Sequence, residues 1–132
     1  MKQSNDIEAL VGLIVPRLLQ GDDAALGVLR DHYAGATIRE VRLTRVGAFV
    51  EFDVPDDLPR VVPESITGGS AFLEIVGLAY GAGCVVFVRE GRLDCLELFA
   101  YGESWPDHVQ VSDIRDVEPL IGPTTGGSHE RR

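Results

Sequence analysis

Lysine is almost missing from this chain of 132 residues: Lys2 is the only one. Arginine supplies the rest of the 12 basic side chains, and 21 aspartates and glutamates outnumber them for a net charge of −9. A field of that sign repels a nucleic-acid duplex or an anionic membrane, so neither is an expected partner. A basic protein partner, a cation or plain solubility are the readings it leaves. Long apolar runs are also lacking. "ALVGLIVP" falls well short of the ~20 residues that span a bilayer, acids precede it and Pro16 ends it. No basic segment opens the chain ahead of it, so no signal peptide is expected and the cytoplasm is the default compartment. Cysteine is scarce, with Cys84 and Cys95 alone and no C-x-x-C spacing. His32, His108 and His129 lie far apart in sequence. No metal centre, no other cofactor and no Cys–His nucleophile is therefore expected.

What remains is the composition of a soluble globular domain, 45% apolar and 25% charged, long enough for one core with two layers. Residues 1–121 read as one α+β domain. Residues 122–132 form a Gly/Ser/Thr-rich tail, expected to be disordered, that carries two arginines and one acid. Without it the net charge moves from −9 to −10.

The chain begins with helical spacing. Ile7, Leu10, Val11, Ile14 and Leu18 form one apolar stripe over residues 5–20, with Asn5 as cap and Glu8 three residues on. Pro16 should kink or end this helix. Asp22 or Asp23 then caps a second helix that turns Leu26, Leu29 and Tyr33 inward and stops at Gly35. His32, near its C-terminus, suits a structural role. From Ala36 the period becomes two. A two-residue turn at Val46-Gly47 would set Val41, Leu43, Ala48, Val50, Phe52 and Val54 on one face. Glu40, Arg42, Thr44, Phe49, Glu51 and Asp53 would take the other, with Arg42 opposite Glu51 as a cross-strand charge pair. "DVPDDLPRVVPESITGGS" holds three prolines and should be a loop; Asp53, Asp56 and Asp57 at its start could receive a cation or a basic side chain. "SAFLEIVGL" is a third strand, with Leu73 and Ile75 on one side.

"CVVFV" and "LDCLELFAY" are apolar at nearly every position, as strands in the middle of a sheet are. Glutamate is a poor residue for the positive φ of a type I′ turn, so "REGR" favours a type I turn with a glycine bulge. That register pairs Cys84 with Leu96 and Val85 with Cys95, leaving two free thiols on opposite faces. A two-residue turn would instead make the cysteines diagonal neighbours. Glu97, between Leu96 and Leu98, needs an explanation. It faces an open groove, pairs with an arginine such as Arg39 or Arg45, or is held protonated as an acid. Beyond Tyr101, Pro106 stiffens the loop at Trp105 among Glu103 and Asp107. The indole is either an interface anchor or a plug on the core. From Asp94 to Glu118 seven acids face one arginine, a local net of −6.

Gly77-Leu78, Gly81-Ala82-Gly83, Phe87, Gly91, Leu96-Glu97, Tyr101 and Trp105-Pro106 together resemble an uncharacterised family of small bacterial proteins. "RLLQGDDAALGVLRDHYAGATIRE…VGAFVEFDVP" is similar to the same family's helical start and first hairpin. The likeness covers most of residues 16–107 and departs at Cys84, where an aromatic residue would be expected. It implies a fold and a bacterial cytoplasmic setting. Small acidic bacterial domains of this look include immunity proteins that neutralise toxin domains.

The expected architecture is a helical pair on an antiparallel, mostly meander sheet of about five strands. Three functions compete. One is a non-enzymatic, immunity-like module that captures a basic partner through Glu97, Tyr101, Glu103, Trp105 and Asp107. Another is a small-molecule-binding or hydrolytic domain using Glu97 with Glu51 or Asp53. The third is a homodimeric structural protein.

Overall fold

The computed structural model describes residues 2–61 and 66–118, with side chains from residue 6 in the first stretch and residue 69 in the second. The expected tail at 122–132 lies outside these residues. Helix α1 spans Lys2–Leu18 and buries the stripe Ile7, Leu10, Val11, Ile14 and Leu18 completely or nearly so. It starts upstream of Asn5, which is therefore not its cap. Nor does Pro16 stop it. The proline lacks the N–H that would bond Gly12, yet the helix runs two residues past it, and the Leu19 N–H donates to Val15 O at 3.1 Å. Arg30 closes the corner that follows, donating to Leu19 O at 2.7 Å and Gly21 O at 3.1 Å. Helix α2 spans Ala24–Gly35, capped by Asp23, whose carboxylate accepts the Ala25 N–H at 2.8 Å. Leu26 and Leu29 point into the core, and Tyr33 meets Phe52 edge-on.

Six antiparallel strands follow: β1 (Thr37–Leu43), β2 (Gly47–Asp53), β3 (Ile66–Ile75), β4 (Ala82–Arg89), β5 (Arg92–Ala100) and β6 (Val111–Glu118). Their order across the sheet is β1-β2-β5-β4-β3-β6, one strand more than expected. β3–β4–β5 is a meander, β1–β2 is a hairpin laid against β5, and β6 returns to cover the edge of β3. β3 begins at Ile66, so the proline-rich loop is shorter than its sequence suggests. Both edge strands pair irregularly, β1 with a bulge near Arg39 and β6 with breaks opposite Phe72 and Ile75. Such breaks discourage edge-to-edge pairing.

The β1–β2 connection is three residues, Thr44 to Val46, not two. Thr44 Oγ1 accepts the N–H groups of Val46 and Gly47, and Thr44 N–H donates to Gly47 O at 2.9 Å. Leu43 therefore pairs with Ala48 and Val41 with Val50, a slip of two residues from the expected register. An even slip preserves the faces, so Ala48, Val50 and Phe52 are still buried together.

The β4–β5 turn departs further. Glu90 (φ 53°) and Gly91 (φ 78°) form the two-residue turn, and Arg89 pairs with Arg92. The left-handed conformation at Glu90 costs about 1 kcal/mol. Gly91 is pinned against the 54–61 segment, its carbonyl accepting the Val61 N–H at 2.8 Å. A bulge then falls at Asp94: Val88 pairs with Leu93, but Phe87 with Cys95. This extra residue puts Leu93 on the same buried face as Leu96, Leu98 and Ala100 and keeps Asp94 out of the core. Cys84 and Cys95 consequently lie on opposite faces, as free thiols, although by a different register from the expected one.

Helix α1 packs on β3 and β6, and α2 on β5. At their junction His32 is fully buried. The Leu93 N–H donates to its Nδ1 at 3.3 Å, so Nε2 carries the proton and donates to Pro59 O at 2.6 Å. The ring thus ties α2, the 54–61 segment and β5 together as a neutral imidazole. Both helices lie on one face of the sheet. Among the described residues no helix covers the other.

Candidate functional site

Strand alternation sets what the bare face carries. Across one row of the ladders lie Arg42 (β1), Phe49 (β2), Glu97 (β5), Val85 (β4) and Ser70 (β3). The row on one side of it holds Glu51, Cys95 and Phe87, and the row on the other side holds Phe99, Gly83, Phe72 and Arg115. This face is not uniformly acidic. Aromatic rings alternate with charges along it, and an arginine closes each end.

At the β1 end, Glu51 accepts from Arg39 and from Arg42, each at 2.8 Å, and Arg39 also reaches Asp53 at 3.1 Å. Hydrogen bonds from the Arg39 and Arg42 guanidiniums hold the Glu51 carboxyl below its ordinary range. Arg42 meanwhile lies over the Phe49 ring, 5.0 Å from its centroid. Arg42 and Glu51 are thus a diagonal pair rather than directly opposite. At the β6 end, Arg115 lies 4.7 Å over Phe72 and pairs with Glu74 and Asp113. Tyr101 stacks nearly parallel on Phe72 and meets Phe99 edge-on. These rings fill the space above Gly83, where a Cβ would come within 2.6 Å of the Phe99 ring.

From the β1 end a groove of about 430 Å³ runs across β2 and β5 to β4. Phe49, Phe87, Cys95 and Glu97 line its middle; Arg39, Arg42 and Arg89, with Glu51 and Asp94, form its rim. Arg89 pairs with Asp94 at 3.8 Å. Glu97 has no ion-pair partner among the described residues, and neither Arg39 nor Arg45 reaches it. Burial, followed by the charges of Asp94, Glu51 and Glu97, pushes the Cys95 thiol up to about 11. Burial does the same to Cys84, also to about 11. Both are protonated thiols near neutral pH and poor nucleophiles.

The residues singled out in the sequence do not form one surface. Glu97 and Tyr101 (46% exposed) share the bare face. Trp105 is only 9% exposed and belongs to the core; its indole N–H is buried without a hydrogen-bond partner among the described residues, and its backbone N–H donates to Arg45 O. Glu103 is a clamp, accepting the N–H groups of Ala79 at 3.1 Å and Tyr80 at 2.9 Å. Asp107 is exposed in the loop before β6. Asp53, Asp56 and Asp57 do not converge: Asp53 goes to Arg39, Asp56 to Arg92, whose hydrogen bond lowers its pKa, and Asp57 stays at the surface. Among the described residues no group of three or more His, Cys, Asp or Glu could hold a metal ion, and no helix is long and apolar enough to cross a membrane.

The groove's aromatic lining was missed in the sequence. Alternation did place Phe49 on the polar face with Glu51, and the ring at an outward position was the available signal. No family model matches the chain, and no curated protein or solved structure matches it significantly.

Proposed function

We propose that this chain is a non-enzymatic binding module whose bare sheet face receives a basic protein partner. Its most concrete form is an immunity-like inhibitor of a basic bacterial toxin domain, working in the cytoplasm, where free thiols at Cys84 and Cys95 persist. The observation that carries the reading is Glu97, a carboxylate without an ion-pair partner among the described residues, set between apolar neighbours on a central strand. A partner's cation would complete it, while the net charge of −9 speeds encounter. Tyr101 and Phe87 (39% exposed) offer apolar contact area beside it, the part the buried Trp105 leaves unfilled.

Acid–base chemistry by Glu97 with Glu51 or Asp53 is the weaker reading. Glu51 is held by two guanidiniums and Asp53 by one, which commits both carboxylates to structure. The test starts from the neighbouring reading frame, which the immunity-like form expects to encode a basic toxin domain. The two products should co-purify, with an association rate that falls steeply as ionic strength rises. A rate indifferent to salt contradicts electrostatic capture.

A further inference from the structure

Resting on the basic-partner reading, we infer that the groove around Glu97 is a slot for a single arginine side chain of that partner. Charges along its rim are already matched. Arg39 and Arg42 serve Glu51, Arg39 also reaches Asp53 outside the groove, and Arg89 serves Asp94, so both carboxylates on the rim have ion-pair partners. Of the groove's carboxylates, Glu97 alone has no ion-pair partner among the described residues. Its neighbours are Phe49 and Val85 across the ladders, with Cys95 and Phe99 on either side along its own strand. Apolar side chains strip water from one flank of the carboxylate without supplying a donor. An incoming cation therefore gains more at Glu97 than at an open acid such as Asp57.

The shape of the slot favours a guanidinium. Phe87 lies opposite Cys95, one ladder step from Glu97, is 39% exposed, and has no ring or cation partner among the described residues. A planar guanidinium stacked on Phe87 would direct its N–H fork at both Glu97 oxygens, which a lysine ammonium cannot match. The same face already uses guanidinium-on-phenyl stacking twice, Arg42 over Phe49 and Arg115 over Phe72. A groove of about 430 Å³ admits the side chain together with its backbone. A metal ion is disfavoured, because Glu97 is the one uncommitted carboxylate in the groove and the Cys95 thiol is protonated near neutral pH.

The test is a chemical-shift titration of the isotope-labelled full chain at low salt. The probes are acetyl-Gly-Arg-Gly-amide and its lysine and citrulline counterparts. The arginine peptide should move the amides of Val85, Phe87, Cys95 and Glu97, with the lysine peptide weaker and the citrulline peptide inert. Glu97→Gln should weaken binding by about tenfold or more, and Phe87→Leu by a smaller factor. Equal responses to arginine and citrulline, or shifts unchanged in Glu97→Gln, overturn the slot. Shifts that spread over the bare face and survive Glu97→Gln overturn the slot alone and leave the basic-partner reading standing. Shifts confined to the helices, or none, overturn both.

Discussion

Glu97 lies directly opposite Phe49 in the β2–β5 ladder and opposite Val85 in the β4–β5 ladder. A carboxylate is thus fixed near the centre of a six-stranded sheet, away from either edge, with an apolar residue on each side. The bulge at Asp94 makes this arrangement possible. It lets Leu93 and Leu96 share the buried face while Glu97 remains outside.

Trp105 should behave as a core residue rather than a contact residue. Trp105→Ala is expected to cost about 3–5 kcal/mol of stability, as large aromatic truncations in cores do. Native fluorescence should be shielded from an aqueous quencher such as iodide. Ready quenching in the folded protein would return the indole to the surface.

His32 bridges three segments through two hydrogen bonds inside the core. His32→Leu keeps the bulk but strands the Leu93 N–H and the Pro59 carbonyl. A loss of about 2 kcal/mol or more in denaturant unfolding is expected. A change below about 0.5 kcal/mol would show that water or a neighbour readily replaces the ring.

Stability should depend on pH at both ends, with different causes. Glu51 has a folded pKa below its ordinary 4.5, so its contribution is present above that value and lost as pH falls through the lower, folded value. Asp56 adds to the same acid limb through Arg92. Glu51→Gln should flatten it. On the alkaline side the thiols are raised from 9.0 to about 11, so their contribution is full below pH 9 and declines as pH climbs towards 11. For Cys84 the loss is about 2–3 kcal/mol by the end of that window. Urea midpoints from pH 3 to 11 for wild type, Glu51→Gln and Cys84→Ala/Cys95→Ala would read both limbs. A double cysteine variant with an unchanged alkaline slope contradicts the thiol assignment.

Glu103 should matter to its loop and not to binding. Glu103→Ala releases the N–H groups of Ala79 and Tyr80 and should cost about 1 kcal/mol, with faster amide exchange at those two positions. Protection that survives the substitution would argue against the clamp.

The layers and faces of this fold could be read from the sequence wherever hydrophobic period was clean. The α1 stripe and the two faces of β2 are as their spacing says. Registers were less legible, because local side chains set them. Thr44 lengthens the first turn by capping Val46 and Gly47, and the 54–61 segment braces Gly91 through Val61. β6 escaped notice altogether. Its half-buried residues Val111, Ile114 and Val117 recur every three positions, since two irregularities and a positive φ at Asp116 break the strand alternation. Glu97 stood out from its neighbours in sequence, but the rings beside it come from β2 and β4, which only the sheet order brings together.

The most direct measurement compares two substitutions that each remove one negative charge. Glu97→Gln lies on the bare face, and Glu8→Gln lies on the exposed side of α1 in the helical layer. Binding of a peptide of alternating arginine and glycine would be measured by calorimetry at moderate salt for both variants and wild type. Glu97→Gln should weaken binding by about tenfold, while Glu8→Gln stays within about twofold of wild type. Equal losses would mean that net charge alone attracts the peptide and that the bare face has no special part in binding.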